Sequence, residues 1–225
     1  MIDTTGQPVV RVVDLVKRFD DRAVLDGVNL QVIQGETMVI MGGSGCGKST
    51  LLRHMIGSIW PDEGYVELFG QNIAELNDDQ FDAIRKRFGI LFQSGALFNS
   101  MTVGENIALP LKEHTDLDDD TINVIVTIKL ELVGLREAAH LMPAEISGGM
   151  KKRAGLARAL AMDARVSFYD EPTGNLDPKT GRLIVDLLHS LRTEDRTVMI
   201  ATHDDAIAAK ADLILEMRDG RLIGA

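Results

Sequence analysis

This chain of 225 residues has little of what marks several protein classes. A single cysteine, Cys46, rules out an intrachain disulfide and makes a reducing cytosol the expected compartment. Basic charge is scarce. The 24 Lys and Arg stand against 34 Asp and Glu, a net charge of −10. That balance argues against nucleic acid as the main partner, because binding a phosphate backbone needs a basic field. Long apolar runs are missing too: the uncharged stretch from Phe88 to Gly104 holds Gln93, Ser94, Asn99 and Ser100 and is too polar for a helix in lipid. Met1 to Pro8 carry Asp3 and no apolar run, so no secretory signal is expected. The expectation is a soluble protein that attaches to a membrane only through a partner. With 45% hydrophobic and 26% charged residues, no internal repeat and no low-complexity segment, the chain has material for a core. Its length suggests one large domain, or one domain with an insertion.

Strands are predicted at Val9–Val13, Val28–Val32 and Thr37–Met41, separated by turns at Asp20-Asp21, Asp26-Gly27 and Gln34-Gly35. A helix is expected over Ser49–Ile59, closed by Pro61-Asp62-Glu63-Gly64. A strand (Tyr65–Phe69), a helix (Asp78–Arg87) and a buried strand (Gly89–Phe92) follow. The middle reads as helices, Val103–Leu109, Asp118–Val133 and Lys151–Met162, with Asp118-Asp119-Asp120 as an acidic helix start rather than a metal site. Strands return at Val166–Tyr169, Val198–Thr202 and Leu213–Met217, around a helix from Thr180 to Leu191. The pattern is an α/β core, about 1–93 and 161–225, interrupted by a helical insertion at about 94–160.

The chemistry concentrates at strand ends. Gly42-Gly43-Ser44-Gly45-Cys46-Gly47-Lys48-Ser49 fits G-x-x-x-x-G-K-[ST], after an apolar strand and before a helix. Its glycines let backbone N–H groups turn inward around phosphate oxygens, where a Cβ would obstruct. Lys48 is placed to bridge β- and γ-phosphates, and the Ser49 hydroxyl to ligate Mg2+. In Val166-Ser167-Phe168-Tyr169-Asp170-Glu171-Pro172 a buried strand ends in two carboxylates. Asp170 is placed to hold the Mg2+ shell, and Glu171 to take a proton from, or orient, an attacking water. Ser167 interrupts that apolar strand, and its hydroxyl is expected to pair with backbone. His203 follows another apolar strand, where a hydrogen bond to the γ-phosphate or water suits it better than metal ligation. Ser147-Gly148-Gly149 opens a helix and reads either as ordinary capping or as a second anion site.

In order, Gly42–Ser49, Gln93, Ile146-Ser147-Gly148-Gly149-Met150, Asp170-Glu171, Asn175-Leu176-Asp177 and His203 resemble an ABC-type ATPase subunit over nearly the whole chain. The resemblance implies a P-loop NTPase of ABC type. Such a fold has a mostly parallel core sheet, an N-terminal antiparallel β subdomain and an inserted helical subdomain. It implies a head-to-tail homodimer holding two Mg-ATP, each between one subunit's phosphate loop, extended to Thr50, and the other's Ser147-Gly148-Gly149 turn. Gln93 matches the glutamine that reaches Mg2+. Asp177 matches a loop at the dimer interface, and Phe19 the aromatic that stacks on adenine, with a packed strand-end phenylalanine as the alternative. Neither an Asn-Lys-x-Asp guanine reader nor a substrate lid is found, which makes GTPases and kinases poor competitors.

A narrower likeness concerns cargo. Leu91-Phe92-Gln93-Ser94-Gly95-Ala96-Leu97-Phe98, Ala108-Leu109-Pro110-Leu111 and Glu113-His114-Thr115 resemble ATPases of MCE/Mla-type lipid transporters, as does Ser147-Gly148-Gly149-Met150-Lys151-Lys152-Arg153. This implies ATP hydrolysis that drives an integral-membrane permease moving phospholipids or related lipids, with a periplasmic MCE-type lipid-binding partner. The chain would then be peripheral on the cytoplasmic face of the cell membrane. Pro172-Thr173-Gly174-Asn175-Leu176-Asp177 instead resembles lipoprotein-releasing and cell-division ABC ATPases, and the end at Ala225 lacks the C-terminal extension common in the lipid group. Leu97, Phe98 and Met101 read either as an apolar groove for the permease or as packing within the helical insertion.

Overall fold

Hydrophobic runs with a period of two alternate here with runs of period near 3.6, and the alternation sets the element order. A computed structural model describes residue 6 and residues 8–20, 22–191, 193 and 195–223. Asp3, the Asp21 half of the first turn and Ala225 lie outside the described residues. The chain begins with β1 (Pro8–Phe19), β2 (Arg22–Ile33), β3 (Thr37–Met41), α1 (Lys48–Met55), β4 (Glu63–Leu68), β5 (Gln71–Asn72) and α2 (Asp78–Arg85). Next come β6 (Phe88–Leu91), α3 (Val103–His114), α4 (Asp119–Leu132), α5 (Gly148–Ala159), β7 (Val166–Asp170) and α6 (Pro178–Ser190). It finishes with β8 (Thr197–Thr202), α7 (Asp205–Ala208), β9 (Leu213–Arg218) and β10 (Arg221–Ile223). Two compact units result: Met1–Arg87 with Arg192–Ala225, and Phe88–Leu191.

The first unit carries two sheets. One is antiparallel, in the order β2-β1-β4-β5. In the other, β3 lies parallel between β9 and β8, and β10 joins β9 as an antiparallel edge. Thr37 to Ile40 of β3 are all buried, as expected for a parallel strand covered on both faces. β1 and β2 run longer than their apolar segments predict. Lys17 and Arg18 look too polar for a strand, yet Lys17 Nζ reaches the Trp60 carbonyl and Asp62, both at 3.0 Å, and Arg18 pairs with Glu63 at 2.8 Å. Asp26-Gly27, expected as a turn, lies inside β2, where Asp26 is held by Arg221 and its N–H donates to the Gly220 carbonyl.

Two helix ends also differ from expectation. α1 stops at Met55 instead of Ile59 because Gly57 turns left-handed (φ 66°); a Cβ there would meet the Phe81 ring at 2.2 Å, so the position takes only glycine. α3 continues through Pro110 to His114; proline removes one helix hydrogen bond, but burial of Ile107 and Leu111 outweighs that loss.

In the second unit β6 and β7 pair in parallel, with Phe88 and Phe168 edge to face at 5.5 Å between centroids. α5 packs beside β6, and α3 and α4 pack on α5 and on each other. Asp118 caps α4 by accepting from the Thr121 N–H at 2.8 Å, the acidic helix start expected. Asn106, fully buried, accepts from the Phe98 N–H and donates to the carbonyls of Phe98, Met101 and Thr102. One amide thereby fixes the loop entering α3.

Candidate functional site

In the first unit the phosphate-loop sequence lies between β3 and α1 and exposes Ser44 and Gly45. Gly47, the residue before α1, has φ 113°, and a Cβ there would meet the Val24 carbonyl at 2.9 Å. No side chain caps α1, so its first N–H groups and its dipole are turned toward the loop. At the other side, the Gly220 N–H donates to the Cys46 carbonyl at 3.0 Å, tying the loop to the β9–β10 turn. Lys48 is only 6% exposed, and its ammonium donates to the carbonyls of Gly42 (2.7 Å) and Gly43 (3.1 Å). A cation held in a glycine loop at a helix N-terminus fits a polyphosphate: backbone N–H groups of the loop can take the anion, and Lys48 can leave the two carbonyls to neutralise it.

Met41 of β3 pairs with Thr202 of β8, so His203 and the phosphate loop leave the carboxyl ends of neighbouring parallel strands. His203 is exposed, and Ser49 and Thr50 are partly so. Phe19 is the last residue of β1, 47% exposed, with the Lys17 ammonium 5.6 Å from its ring centroid; it is not packed into a core.

The second unit repeats the arrangement. Leu91 of β6 pairs with Tyr169 of β7, so Gln93 and the carboxylates Asp170 and Glu171 come off neighbouring strand ends. Gln93 is exposed, whereas Ser167, Asp170 and Glu171 are buried. Glu171 has φ 48°, a left-handed backbone uncommon for a residue with a Cβ. Ser147 caps α5 by accepting from the Met150 N–H at 3.2 Å, and α5 begins at Gly148 rather than Lys151. Ser147 and Gly148 are exposed at this helix start. Asp177 caps α6; its carboxylate accepts from the N–H groups of Lys179 and Thr180, and the Thr180 bond holds its pKa below the usual aspartate range. Of the apolar patch, Phe98 is 51% exposed under Arg158, while Met101 lines a cavity of about 900 Å³ beside α3 and α4. That cavity takes in none of the residues with phosphate, metal or proton chemistry.

Two side chains escaped the sequence reading. Lys152 is 4% exposed and donates to the carbonyls of Glu171 and Gly174. Arg158 donates to the carbonyls of Ala96 (2.8 Å) and Gly95 (3.3 Å), just past Gln93. The available signal was their place on α5, on turns otherwise built from Ala154, Leu156 and Ala157.

Among the described residues no group of three or more His, Cys, Asp or Glu forms a metal site by itself. Ser49 in the first unit, and Gln93 and Asp170 in the second, each carry an oxygen donor of the kind a hard dication takes. Among the described residues no helix is long and apolar enough to cross a membrane.

An α/β chain with a glycine cradle, a buried lysine and carboxylates at strand ends is a P-loop nucleotide-binding protein. The profile of the ABC transporter family matches residues 25–174. The intermembrane phospholipid transport system ATP-binding protein MlaF of Haemophilus influenzae is 41% identical over 220 residues, covering 97% of this chain and 83% of that protein. MlaF of Escherichia coli is 44% identical over 185 residues, covering 82% and 69%. Among solved structures, the ATP-binding cassette MJ0796, dimeric and bound to ADP and Pi in a post-hydrolysis state, superposes with TM-score 0.89 at 32% identity, covering 96% and 97%. The chain belongs to the ABC transporter family and is an ATPase of the ATP-binding cassette type.

Proposed function

We propose that this chain is the ATP-hydrolysing subunit of a phospholipid transport system, working as a homodimer around two Mg-ATP and driving an integral-membrane permease. Similarity to MlaF over 97% of the chain carries the reading. It favours lipid cargo over the lipoprotein-release or cell-division role that the Asn175-Leu176-Asp177 wording suggests. The chain acts as one cassette, with 94–160 as its helical subdomain, on the cytoplasmic face of the membrane. A periplasmic MCE-type subunit accepts or delivers the lipid.

Phosphate binding starts with Lys48. Its ammonium exchanges the carbonyls of Gly42 and Gly43 for β- and γ-phosphate oxygens, while N–H groups of 43–50 surround the anion. Phe19 stacks on adenine. Ser49, Gln93 and Asp170 are the residues that would hold Mg2+, which when bound would neutralise charge at the phosphate oxygens. Glu171 orients the attacking water and accepts its proton, and His203 donates to the γ-phosphate. The partner copy contributes Ser147, Gly148 and Gly149, whose N–H groups face phosphate only in the closed dimer, with Asp177 at the seam. ATP therefore favours closure, and loss of the γ-phosphate reopens the pair. Phe98, exposed beside the Gln93 loop, is the permease contact.

The test is purification of the chain with its membrane partners, followed by lipid extraction and ATP-dependent transfer between vesicles of phosphatidylethanolamine and phosphatidylglycerol. Co-purified permease, bound phospholipid and ATP-driven transfer are expected. A complex that hydrolyses ATP but neither carries nor moves phospholipid overturns the cargo reading.

A further inference from the structure

The left-handed backbone at Glu171 needs an explanation from its surroundings. A residue with a Cβ adopts such a conformation only where neighbouring groups over-determine it. Here the Gly174 N–H donates back to the Glu171 carbonyl at 3.1 Å, closing a tight turn after β7. From α5, Lys152 donates to that same Glu171 carbonyl and, at 2.8 Å, to the carbonyl of Gly174. The lysine thus grips both ends of the turn that carries the carboxylate. A Cβ on Gly174 would meet Lys152 Nζ at 3.3 Å, so the turn and the ammonium are fitted to each other.

The environment makes this grip expensive to hold and sensitive to loss. Burial pushes the Lys152 pKa below the ordinary lysine range, while the charges of Glu171 and Asp170 act to keep it protonated. Its neighbours on the chain do other work: Arg153 donates to the carbonyls of Val133 and Gly134, and Lys151 is only partly buried. Lys152 also shares α5 with Ser147, the cap of that helix. One helix therefore presents an exposed first turn capped by Ser147 and, on its second turn, the ammonium that grips the Glu171 backbone.

We infer that Lys152 is a positioning residue for hydrolysis: through the carbonyls of Glu171 and Gly174 it fixes the backbone from which the Glu171 carboxylate reaches water, and so ties that carboxylate to the helix headed by Ser147. The inference rests on the proposed role of Glu171.

The experiment compares Lys152→Met, Lys152→Arg, Glu171→Gln and the double variant Lys152→Met/Glu171→Gln in the full chain, reading kcat, KM for ATP, ATP affinity, dimer content with Mg-ATP and melting temperature. A carboxylate shifted by about 1 Å lowers kcat by about 10- to 100-fold. Lys152→Met is therefore expected to lose that much turnover, with KM and ATP affinity within about twofold, and to accumulate the ATP-bound dimer. Lys152→Arg restores most of kcat, because it keeps the charge and the donors. In the Glu171→Gln background, Lys152→Met adds less than about a further twofold loss. If Glu171→Gln is inactive but Lys152→Met keeps kcat within about twofold, the positioning role is wrong and the Glu171 role survives. If Glu171→Gln itself turns over like the unmodified protein, the Glu171 reading fails and takes this inference with it. A parallel fall in melting temperature, ATP affinity and kcat makes Lys152 purely structural and also overturns it. Should Lys152→Met not fold, Lys152→Gln is judged by the same criteria.

Discussion

Two buried lysines, one in each unit, solve the same electrostatic problem for different ends. Lys48 and Lys152 are both nearly inaccessible, and each donates to a pair of backbone carbonyls at a turn containing glycine. The Lys48 carbonyls belong to its own loop, five and six residues back, and the loop opens to solvent at Ser44 and Gly45. A phosphate can displace them. The Lys152 carbonyls belong to a turn some twenty residues on, with Glu171 itself buried. The first lysine is held ready for a ligand, and the second holds other residues ready. The two units differ in the same way: the first frames a glycine cradle at a helix N-terminus, and the second braces the turn that carries Glu171.

The largest expected effect tests the bracing unit directly. Glu171→Gln should bind ATP with near-unchanged affinity while kcat falls by about 10²- to 10³-fold and the dimer accumulates on sizing with Mg-ATP. Undiminished hydrolysis would remove the distinction between cradle and catalytic turn. On the cradle side, Cys46 sits beside Gly42, with Sγ 2.7 Å from where a Cβ of that glycine would be. Alkylation with N-ethylmaleimide should weaken ATP binding at least about tenfold by filling the anion space, and prior Mg-ATP should protect. Labelled protein that still binds fluorescent ATP normally would contradict this.

Stability separates the units as well. Asn106→Ala removes the amide that holds Phe98, Met101 and Thr102, and should lower unfolding free energy by about 2–3 kcal/mol in chemical denaturation. A loss below about 0.5 kcal/mol would mean that the loop holds without it. The smallest effect belongs to His54 of α1, buried, with Nδ1–H donating to the Thr50 carbonyl at 2.8 Å. Burial holds its pKa below the ordinary histidine value. The unfolded chain then takes up a proton near pH 6.5 while the folded chain does so only at lower pH, so this stability is complete above about 6.5 and lost as pH falls. Melting temperature should drop between pH 7.5 and 5.5, and His54→Leu should flatten the drop.

Residues with a local reason to be where they are were legible in the sequence. The phosphate loop, β3, β7, β8 and the Asp118 cap follow from glycine spacing, unbroken apolar runs and side-chain capping, all effects confined to a few neighbours. Elements whose reason lies far along the chain were misread or missed. β1 extends through Lys17 and Arg18 because Trp60, Asp62 and Glu63 receive them, and only the packed Phe81 ring shows why position 57 admits no Cβ. In the sequence Lys152 stands only as part of the run Lys151-Lys152-Arg153, and nothing in that run marks it as the buried one.

By itself the sequence determined an α/β chain with a polyphosphate-binding turn, carboxylates at a strand end and a family resemblance that comparison bears out. Backbone conformation and short-range hydrogen bonding depend on neighbouring residues, and those neighbours are written in order along the chain. Only the tertiary structure decided which lysine is buried, which turn it grips and that Glu171 stands in a left-handed conformation. Desolvation and carbonyl contacts between residues some twenty positions apart arise only when α5 packs near the end of β7, and no local pattern encodes that approach.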